Sequence, residues 1–551
     1  MSPAHSTSRL SRRATSERSG LFPVDQLKGV SVFEISIQEL QSYLAGHYFT
    51  SVNYVGFCLK SIREVDEYLE AVIEVNTDAL AIAKELDKER DSGVLRGPLH
   101  GVPVLVKDNI ATKDGMQTTA GSWALLGSVV PKDAFVVSKL RRAGAVIIGH
   151  ANMSEWASLR SKTYSTGYSP RGGQVRNPFD LTKSPFGSSS GPAAAVSANF
   201  VPVAFGTETD TSIIGPASIN GVVGIKPTVG LTSRAGVVPI SRHMDSAGPI
   251  ARTVADALLA LDAIVGKDPD DVPTADPRSI DENLPYSQYL SSAEALRGAR
   301  FGLPIKRCWD LVPPSCKAVA TNVLAAMKRA GADIVDVELL SVEERVNQSG
   351  TWDWEHGDPA YSEWTVAKVD AYNDVNSYLR NLVGSPVRSI EDIIEYNVQN
   401  VGTEGGLPGV VPAFDGQPNF EEMAKSKGIE DATYKSALSH IRRQTRENGL
   451  DSALRYGDGV LDALIFCDRR GIGQQYAAQA GYPIICIPIG LDNHGLPISL
   501  SFQQTAWGES KLVKWASAVE DLWNRENGGR ATPTFRNVHA KNIPIEKVVN
   551  D

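Results

Sequence analysis

The sequence has few cysteines, few aromatic residues and no long hydrophobic run. Of its 551 residues, 5 are cysteine and 7% are aromatic. The cysteines are widely scattered and form no CxxC pair, which argues against a disulfide framework and against a zinc site. No apolar run reaches the ~18–20 residues that a transmembrane helix needs. We therefore expect a protein with reduced, buried thiols and no membrane span.

Positive charge is also scarce. The chain has 55 Lys and Arg against 64 Asp and Glu, a net charge of −9, and no long basic run follows the N-terminus. This balance argues against nucleic acid or an anionic membrane as the main partner. Residues 1–20 have the Arg- and Ser-rich composition of a mitochondrial presequence but only one large aliphatic residue after Met1, Leu10. We interpret residues 1–30 as a disordered tail and expect a cytoplasmic protein.

Short apolar runs alternate with helical patterns along the rest of the chain. Helical spacing of apolar residues predicts helices near residues 62–73, 78–90, 134–143 and 509–523. Continuous apolar runs predict buried strands at residues 102–106, 145–149, 201–205, 222–225, 484–488 and 498–502. Strands of this kind, separated by helices, indicate an α/β sheet that is covered on both faces. Because strands lie at both ends of the chain, we expect one large domain.

That domain is predicted to cover residues 31–540, with a tail at 541–551. We divide it into N-terminal helices at 37–90, a core at 95–265, a helical cap or insert at about 341–455, and C-terminal strands with a helix at 460–525. Trp352, Trp354 and Trp364 lie close together in the insert. They fit either packing within the insert or the wall of a substrate channel.

Lys107 is the first candidate for chemistry. It directly follows the apolar run 102–106, which predicts a strand buried on both faces. Desolvation lowers the pKa of a lysine, and a neutral amine is a competent general base. The alternative is a lysine at the strand end that reaches into solvent.

Two serine-rich turns follow, one around Ser188 and one at Ser212. The first contains a G-x-S-x-G pattern centred on Ser189, which is the nucleophile elbow of α/β-hydrolases. An elbow needs a strand before it, whereas residues 180–185 indicate a loop, so we interpret this match as accidental. Ser212 follows a predicted strand, and a tight turn there can direct backbone N–H groups at an oxyanion. A relay from Ser212 through Ser188 to Lys107 would supply the base that a serine nucleophile needs.

At this point the sequence resembles the amidase signature family, over about residues 37–535. The matching motifs are GVPVLVKDN at 101–109, the serine pair at 188–189, Ser212, GVVGIKPT at 221–228, DSAGP at 245–249, AGYP at 480–483 and GLP at 495–497. The resemblance implies a single α/β/α sandwich with a mixed central sheet. It also implies a Ser-cisSer-Lys triad of Ser212, Ser188 and Lys107, with a cis peptide bond before Ser188.

The reaction implied by the resemblance is hydrolysis of a carboxylic amide through an acyl-enzyme on Ser212. A small-molecule amide and water would be the substrates, with no metal and no organic cofactor. We expect Thr209, Asp210, Thr211 and Ser189 to form the oxyanion and substrate-binding part of the site. A homodimer is left open.

The sequence departs from the family pattern beside the nucleophile. Thr211 occupies a position where the family often has glycine, so it would be strained if the turn needs a positive φ, and its side chain would crowd the oxyanion donors. Phe186 and Ser190 replace two usual glycines, and Ile214 stands where arginine is common. Two alternatives follow: the glutaminase subunit of a tRNA-dependent amidotransferase, and a degenerate, specialised or non-catalytic protein with the amidase fold.

Three histidines near the motifs are the competing bases. His100, His150 and His243 all occupy positions that the family does not use in catalysis, so we expect them to pack in the core or in loops. Asp245 and Arg252 are expected to brace the site.

Overall fold

The computed structural model describes residues 26–161, 165–279, 285–346, 357–405, 416–467, 473–540 and 545. Within this part of the chain the strands are β1 Gln26–Leu27, β2 Val30–Ser31, β3 Val72–Val75, β4 Pro103–Lys107, β5 Val146–Ala151, β6 Tyr168–Ser169, β7 Gly173–Gln174, β8 Val203–Glu208, β9 Val223–Lys226, β10 Ser246–Ala251, β11 Arg300–Pro304, β12 Asp333–Val337, β13 Arg455–Tyr456, β14 Gly459–Val460, β15 Ala463–Cys467, β16 Ile484–Leu491 and β17 Pro497–Gln503.

The α-helices of the same residues are α1 Ile37–Ala45, α2 Ser51–Leu69, α3 Ala79–Asp91, α4 Phe135–Arg142, α5 Ser190–Ser197, α6 Ile214–Ile219, α7 Val254–Ile264, α8 Pro314–Arg329, α9 Val342–Arg345, α10 Glu363–Asn381, α11 Ile390–Gln399, α12 Pro418–Ser426, α13 Ala432–Thr445, α14 Asp451–Leu454, α15 Gln474–Ala480 and α16 Glu509–Asn527. A π-helical turn, Arg446–Leu450, joins α13 to α14.

Eleven of the described strands form one mixed sheet in the order β12-β11-β15-β17-β16-β9-β10-β8-β4-β5-β3. The centre of the sheet combines both pairings, because β4 is parallel to β8 and to β5, whereas β10 is antiparallel to β8 and β9. Every residue of β4 and β8 is buried, so both faces of the sheet are covered at its centre. The fold class predicted from the sequence, α/β with a mixed central sheet, is confirmed.

Two pairs of helices cover the sheet near its centre. Helices α7 and α16 pack against each other and on β10 and β16, and α5 and α6 pack against each other and on β8 and β9. The second pair directly follows the serine turns, so the turns lie where the sheet meets this helical layer. The predicted strands 102–106, 145–149, 201–205, 222–225, 484–488 and 498–502 are present, shifted by at most a few residues.

The predicted secondary structure needs three corrections. Residues 72–73 were predicted to continue a helix, but α2 ends at Leu69, Glu70 takes a left-handed conformation with φ of 50°, and β3 begins at Val72. The predicted tail at 1–30 reaches too far, because β1 and β2 pair with each other. The strands β11 and β12, with α8 between them, were not predicted at all.

The stretch from residue 341 to 455 is helical in its described parts. Helix α10 packs on α12 and α13, and Trp364 on α10 donates from Nε1 to Glu422 on α12 at 2.6 Å. This tryptophan therefore contributes to the contact between α10 and α12. Trp352 and Trp354 lie outside the described residues, so the channel hypothesis stays untested.

Candidate active site

Two adjacent parallel strands bring the lysine and the nucleophile turn together. Strand β4 pairs with β8 in the register Val104–Val203 and Val106–Phe205. Because both strands run the same way, Lys107 at the end of β4 lies beside Thr207 near the end of β8. The turn that contains Ser212 begins one residue after β8 ends, at the same edge of the sheet.

Lys107 lies in a closed, polar cradle. It is fully buried, and its Nζ donates to Ser188 Oγ at 2.7 Å, to Thr207 Oγ1 at 2.9 Å and to the Thr207 carbonyl at 3.2 Å. Burial lowers the pKa of Lys107 to about 7, although the nearby carboxyls of Glu208 and Asp245 act in the opposite direction. The lysine is therefore buried rather than solvent-exposed, and much of it is neutral at physiological pH.

The first serine turn contains a cis peptide bond between Gly187 and Ser188, as the resemblance implied. Ser189 is fully buried, and its hydroxyl accepts from Thr207 N–H at 3.3 Å and donates to the Thr207 carbonyl at 3.1 Å. A Cβ at Gly206 would lie 2.7 Å from Ser189 Oγ, so glycine is required for this close approach. No strand precedes the turn in the described residues 165–187 apart from the short hairpin at 168–174, so the elbow pattern is accidental.

The second turn carries Ser212 and is tied directly to the first. Ser189 N–H donates to the Ser212 carbonyl at 3.0 Å. Ser212 is half-buried, and its hydroxyl donates to the Asp210 carbonyl at a long 3.3 Å. Ser188 and Ser212 are both described, and their hydroxyls share no direct hydrogen bond in this conformation. A rotation of the Ser212 hydroxyl toward Ser188 would give up only that one long bond.

Two carboxyl groups, those of Glu208 and Asp245, accept hydrogen bonds from the turn and its surroundings. Glu208 Oε2 accepts from the N–H groups of Ile213 and Ile214 at 2.6 and 2.9 Å, where the turn passes into α6. Asp245 Oδ1 accepts from Thr209 Oγ1 at 2.6 Å, and its other oxygen accepts from N–H groups of the 240–241 loop. Asp245 thus braces the site as expected.

The departures from the family pattern have visible structural consequences. Thr211 has a φ of 55°, so the strain expected of a β-branched residue at this position is present. Phe186 also has a positive φ, 58°, and its ring occupies the space that a side chain at residue 215 would need, because a Cβ at Gly215 would lie 2.4 Å from the ring. Ile214 is fully buried at the start of α6.

The three histidines are occupied by other partners. His150 contacts Asp108 through Nδ1 at 2.8 Å and Thr112 through Nε2 at 2.9 Å. His100 Nε2 contacts the Leu86 carbonyl at 2.9 Å. The ring of His243 lies between Tyr434 and Arg442, at 3.0 Å from each. None of the three contacts Ser188 or Ser212, which leaves Lys107 as the candidate base next to the serines.

Some residues of the site were not predicted. Thr207 supplies two of the three contacts to Lys107 Nζ, and its hydroxyl also accepts from Asn109 Nδ2 at 3.0 Å. Glu208 caps the start of α6. The parallel pairing of two strands that each end in a motif was the signal that could have indicated Thr207. Arg252 was expected to brace the site but donates instead to the carbonyls of Val201 and Ile35.

A buried lysine lies beside one serine turn and near a second serine on a mixed α/β sheet, which is the arrangement that the resemblance to the amidase signature family implied. The amidase family model matches residues 53–399, and the chain belongs to this family. The protein is thus a hydrolase that acts on amide C–N bonds.

Individual relatives agree with this assignment. A putative amidase of Schizosaccharomyces pombe is 45% identical over 533 residues, 95% of this chain and 91% of the relative. The solved structure of the peptide amidase from Stenotrophomonas maltophilia has a TM-score of 0.80 at 39% identity and covers 91% of this chain and 99% of that one. A glutamyl-tRNA(Gln) amidotransferase subunit of Rhodopirellula baltica is 30% identical, over 92% of this chain and 99% of the relative.

Two other features are absent from the described residues. None of their helices is both long and apolar enough to cross a membrane. No group of three or more His, Cys, Asp or Glu residues in the described ranges is placed to hold a metal ion.

Proposed function

We propose that the protein hydrolyses carboxylic amides through an acyl-enzyme on Ser212, with Ser188 as proton bridge and Lys107 as general base. The observation that carries this proposal is the 2.7 Å contact between Lys107 Nζ and Ser188 Oγ in a site where the lysine is fully buried. A lysine with a pKa of about 7 can accept a proton at physiological pH.

In the proposed reaction, protons pass between Ser212, Ser188 and Lys107. Ser212 Oγ attacks the amide carbon and gives its proton to Ser188 Oγ, while Ser188 gives its own proton to Lys107 Nζ. The tetrahedral intermediate then expels the amine, which takes a proton back along the same relay. Water then attacks the ester on Ser212 and gives a proton to the relay. Ser212 Oγ takes that proton back as it leaves the acyl group, which releases the carboxylic acid and restores the relay.

The backbone of the second turn supplies donors for the oxyanion. The N–H groups of Asp210, Thr211 and Ser212 donate no hydrogen bond to another described residue. Unsatisfied N–H groups beside a nucleophile are suited to stabilise the charge that develops on the carbonyl oxygen. The Thr211 side chain lies next to these donors, so it would limit the size of the group that fits there. Ser189 supports the turn through its hydrogen bonds to Thr207 and through its N–H bond to Ser212.

The substrate is proposed to be a small molecule with a carboxylic amide. The likeness to a peptide amidase makes peptide amides the first candidates. A screen over primary amides, peptide amides and anilides of graded acyl size, with Ser212→Ala as control, would test this. Release of ammonia or amine by the wild type alone would support the proposal. Equal turnover by the wild type and Ser212→Ala would refute it.

A glutaminase subunit of a tRNA-dependent amidotransferase is the second candidate, favoured by the likeness to such subunits at 30% identity. Size-exclusion chromatography of the native protein distinguishes the two, because the amidotransferase component would elute with partner subunits and hydrolyse glutamine. A homodimer, a cytoplasmic location and the domain boundaries remain predictions from the sequence. A non-catalytic protein would fail to react with a fluorophosphonate probe.

A further inference from the structure

The nucleophile turn carries a buried carboxyl group to which the proposed reaction gives no role. Asp210 is 8% exposed and lies two residues before Ser212. Neither of its carboxyl oxygens accepts a hydrogen bond from an amide, amine or hydroxyl among the described residues. The group that it meets is the carboxyl of Glu363. A buried carboxyl without such donors needs another source of stabilisation.

Glu363 comes from the helical insert, far from Asp210 in the sequence. It is the first residue of α10, it is 2% exposed, and one of its oxygens, Oε2, accepts from Gln479 Nε2 on α15. Gln479 thus fixes one oxygen of the carboxyl. The contact between Asp210 and Glu363 therefore joins the turn of the nucleophile to two helices that belong to other parts of the chain.

Two carboxyl groups in contact cannot both be ionised at low energy. Burial raises the pKa of Asp210 well above its ordinary value, and the charges of Glu363 and Glu208 raise it further, while Lys226 lowers it. One proton is therefore favoured on the pair, and it can form a hydrogen bond between the two carboxyls. Such a bond also satisfies the Asp210 side chain.

The pair lies next to the nucleophile, so the shared proton can affect the reaction. The Asp210 carbonyl accepts from Ser212 Oγ, and the next residue, Thr211, has the strained positive φ. A turn with a strained residue keeps its conformation only if its surroundings hold it. We propose that Asp210 and Glu363 share one proton and act as positioning residues, their carboxyl–carboxylate hydrogen bond holding the nucleophile turn in its active geometry. This inference rests on the proposed role of Ser212.

The shared proton predicts how activity changes with pH. Because the pKa of Asp210 is raised, the pair loses its shared proton only above the ordinary carboxyl range, and two repelling anions would then face each other and disturb the turn. Activity is therefore lost on the alkaline side, while the protonation of Lys107 removes it on the acid side. The groups that face the pair are Glu208 on β8 and Lys226 on β9, and burial lowers the pKa of Lys226 to about 8.

The test compares pH profiles of kcat and KM for the wild type, Asp210→Asn and Glu363→Gln. Each substitution replaces the shared proton with an amide N–H, which donates at every pH. We expect the wild-type kcat to fall about tenfold per pH unit above its alkaline break. Both variants should lack this break and keep the acid limb near pH 7. Asp210→Ala removes the hydrogen bond altogether. It should lower kcat at every pH and change KM by a smaller factor.

Glu520→Gln is the matched control. Glu520 on α16 is also a carboxyl whose pKa burial raises, to about 8, and it accepts from Val254 N–H away from the site. This variant should keep both limbs. Thermal unfolding of each variant checks folding, and because Asp210 and Glu363 approach the contact from opposite sides, either variant alone reports on the shared proton.

An alkaline break that stays at the wild-type pH in Asp210→Asn or in Glu363→Gln would overturn the inference and would assign the break to another group, such as Lys226. That result differs from a failure of the proposed function, which wild-type turnover by Ser212→Ala would show.

Discussion

The rate of acylation should follow the neutral fraction of Lys107. Burial lowers the pKa of this lysine from 10.5 to about 7. Half of the lysine is then neutral at about pH 7, and about a tenth at one pH unit lower. With its ordinary pKa, only about one lysine in three thousand would be neutral at pH 7. The structure thus predicts a rate that rises through neutral pH and then levels off before the alkaline break.

The assay is the second-order rate of labelling by a fluorophosphonate probe, which forms a covalent bond with the nucleophile without needing hydrolysis. Rates would be measured from about pH 5 to about pH 9, a range that spans the predicted pKa. Lys107→Arg is the matched variant, because a guanidinium can still donate to Ser188 but cannot lose its proton. We expect it to lower the rate by ~10²–10⁴-fold above about pH 7, the usual contribution of a general base, and by less at acid pH, where the wild-type lysine is itself protonated.

Two results would contradict the role of a neutral Lys107 as the base. A rate that still rises tenfold per pH unit between about pH 8 and about pH 9 would show a lysine with an ordinary pKa. A Lys107→Arg variant that reacts at the wild-type rate would show that this lysine is not the base.

Three further substitutions test individual contacts of the site. Thr211→Gly removes a β-branched residue with φ of 55° and should therefore stabilise the fold by about 1 kcal/mol. It should also speed the labelling of Ser212, and a slower rate would contradict a crowded oxyanion site. Ser189→Ala removes the acceptor of the Thr207 N–H and one of two donors to the Thr207 carbonyl, which keeps Lys107 as its other donor. It should lower the free energy of unfolding by ~1–3 kcal/mol in urea titrations, whereas no change would contradict its bridging role. Asp108→Ala removes the buried carboxyl that contacts His150 and accepts from Thr119 Oγ1 and Gly121 N–H. It should cost about 3 kcal/mol or more in the same assay, and a cost below that of Ser189→Ala would contradict this ranking.

The central strands could be predicted from the sequence because they are short, continuous apolar runs between turn residues. Strands β4 and β8 carry this pattern, and in the structure all of their residues are buried. The end of α2 could not be predicted in the same way. Residues 69, 72 and 73 keep helical spacing, and only the left-handed conformation of Glu70 separates the helix from β3.

The candidate site likewise combines residues that the sequence indicates with residues that it does not. Lys107, Ser188 and Ser212 lie in local motifs, so the sequence indicates them directly. The contacts that tune them come from residues whose sequence neighbourhood carries no signal. Thr207 holds the lysine through a hydroxyl and a carbonyl, and Glu363 reaches Asp210 from the insert. Such contacts depend on the tertiary arrangement and required the structure.

The location of the covalent adduct decides whether Ser212 is the nucleophile. The wild type would be labelled with a fluorophosphonate probe, digested and analysed by mass spectrometry, with Ser212→Ala treated in parallel. We expect an adduct on Ser212 in the wild type, and none on any serine of the site in the variant. An adduct on Ser188 or Ser189, or amide hydrolysis at the wild-type rate by Ser212→Ala, would contradict it.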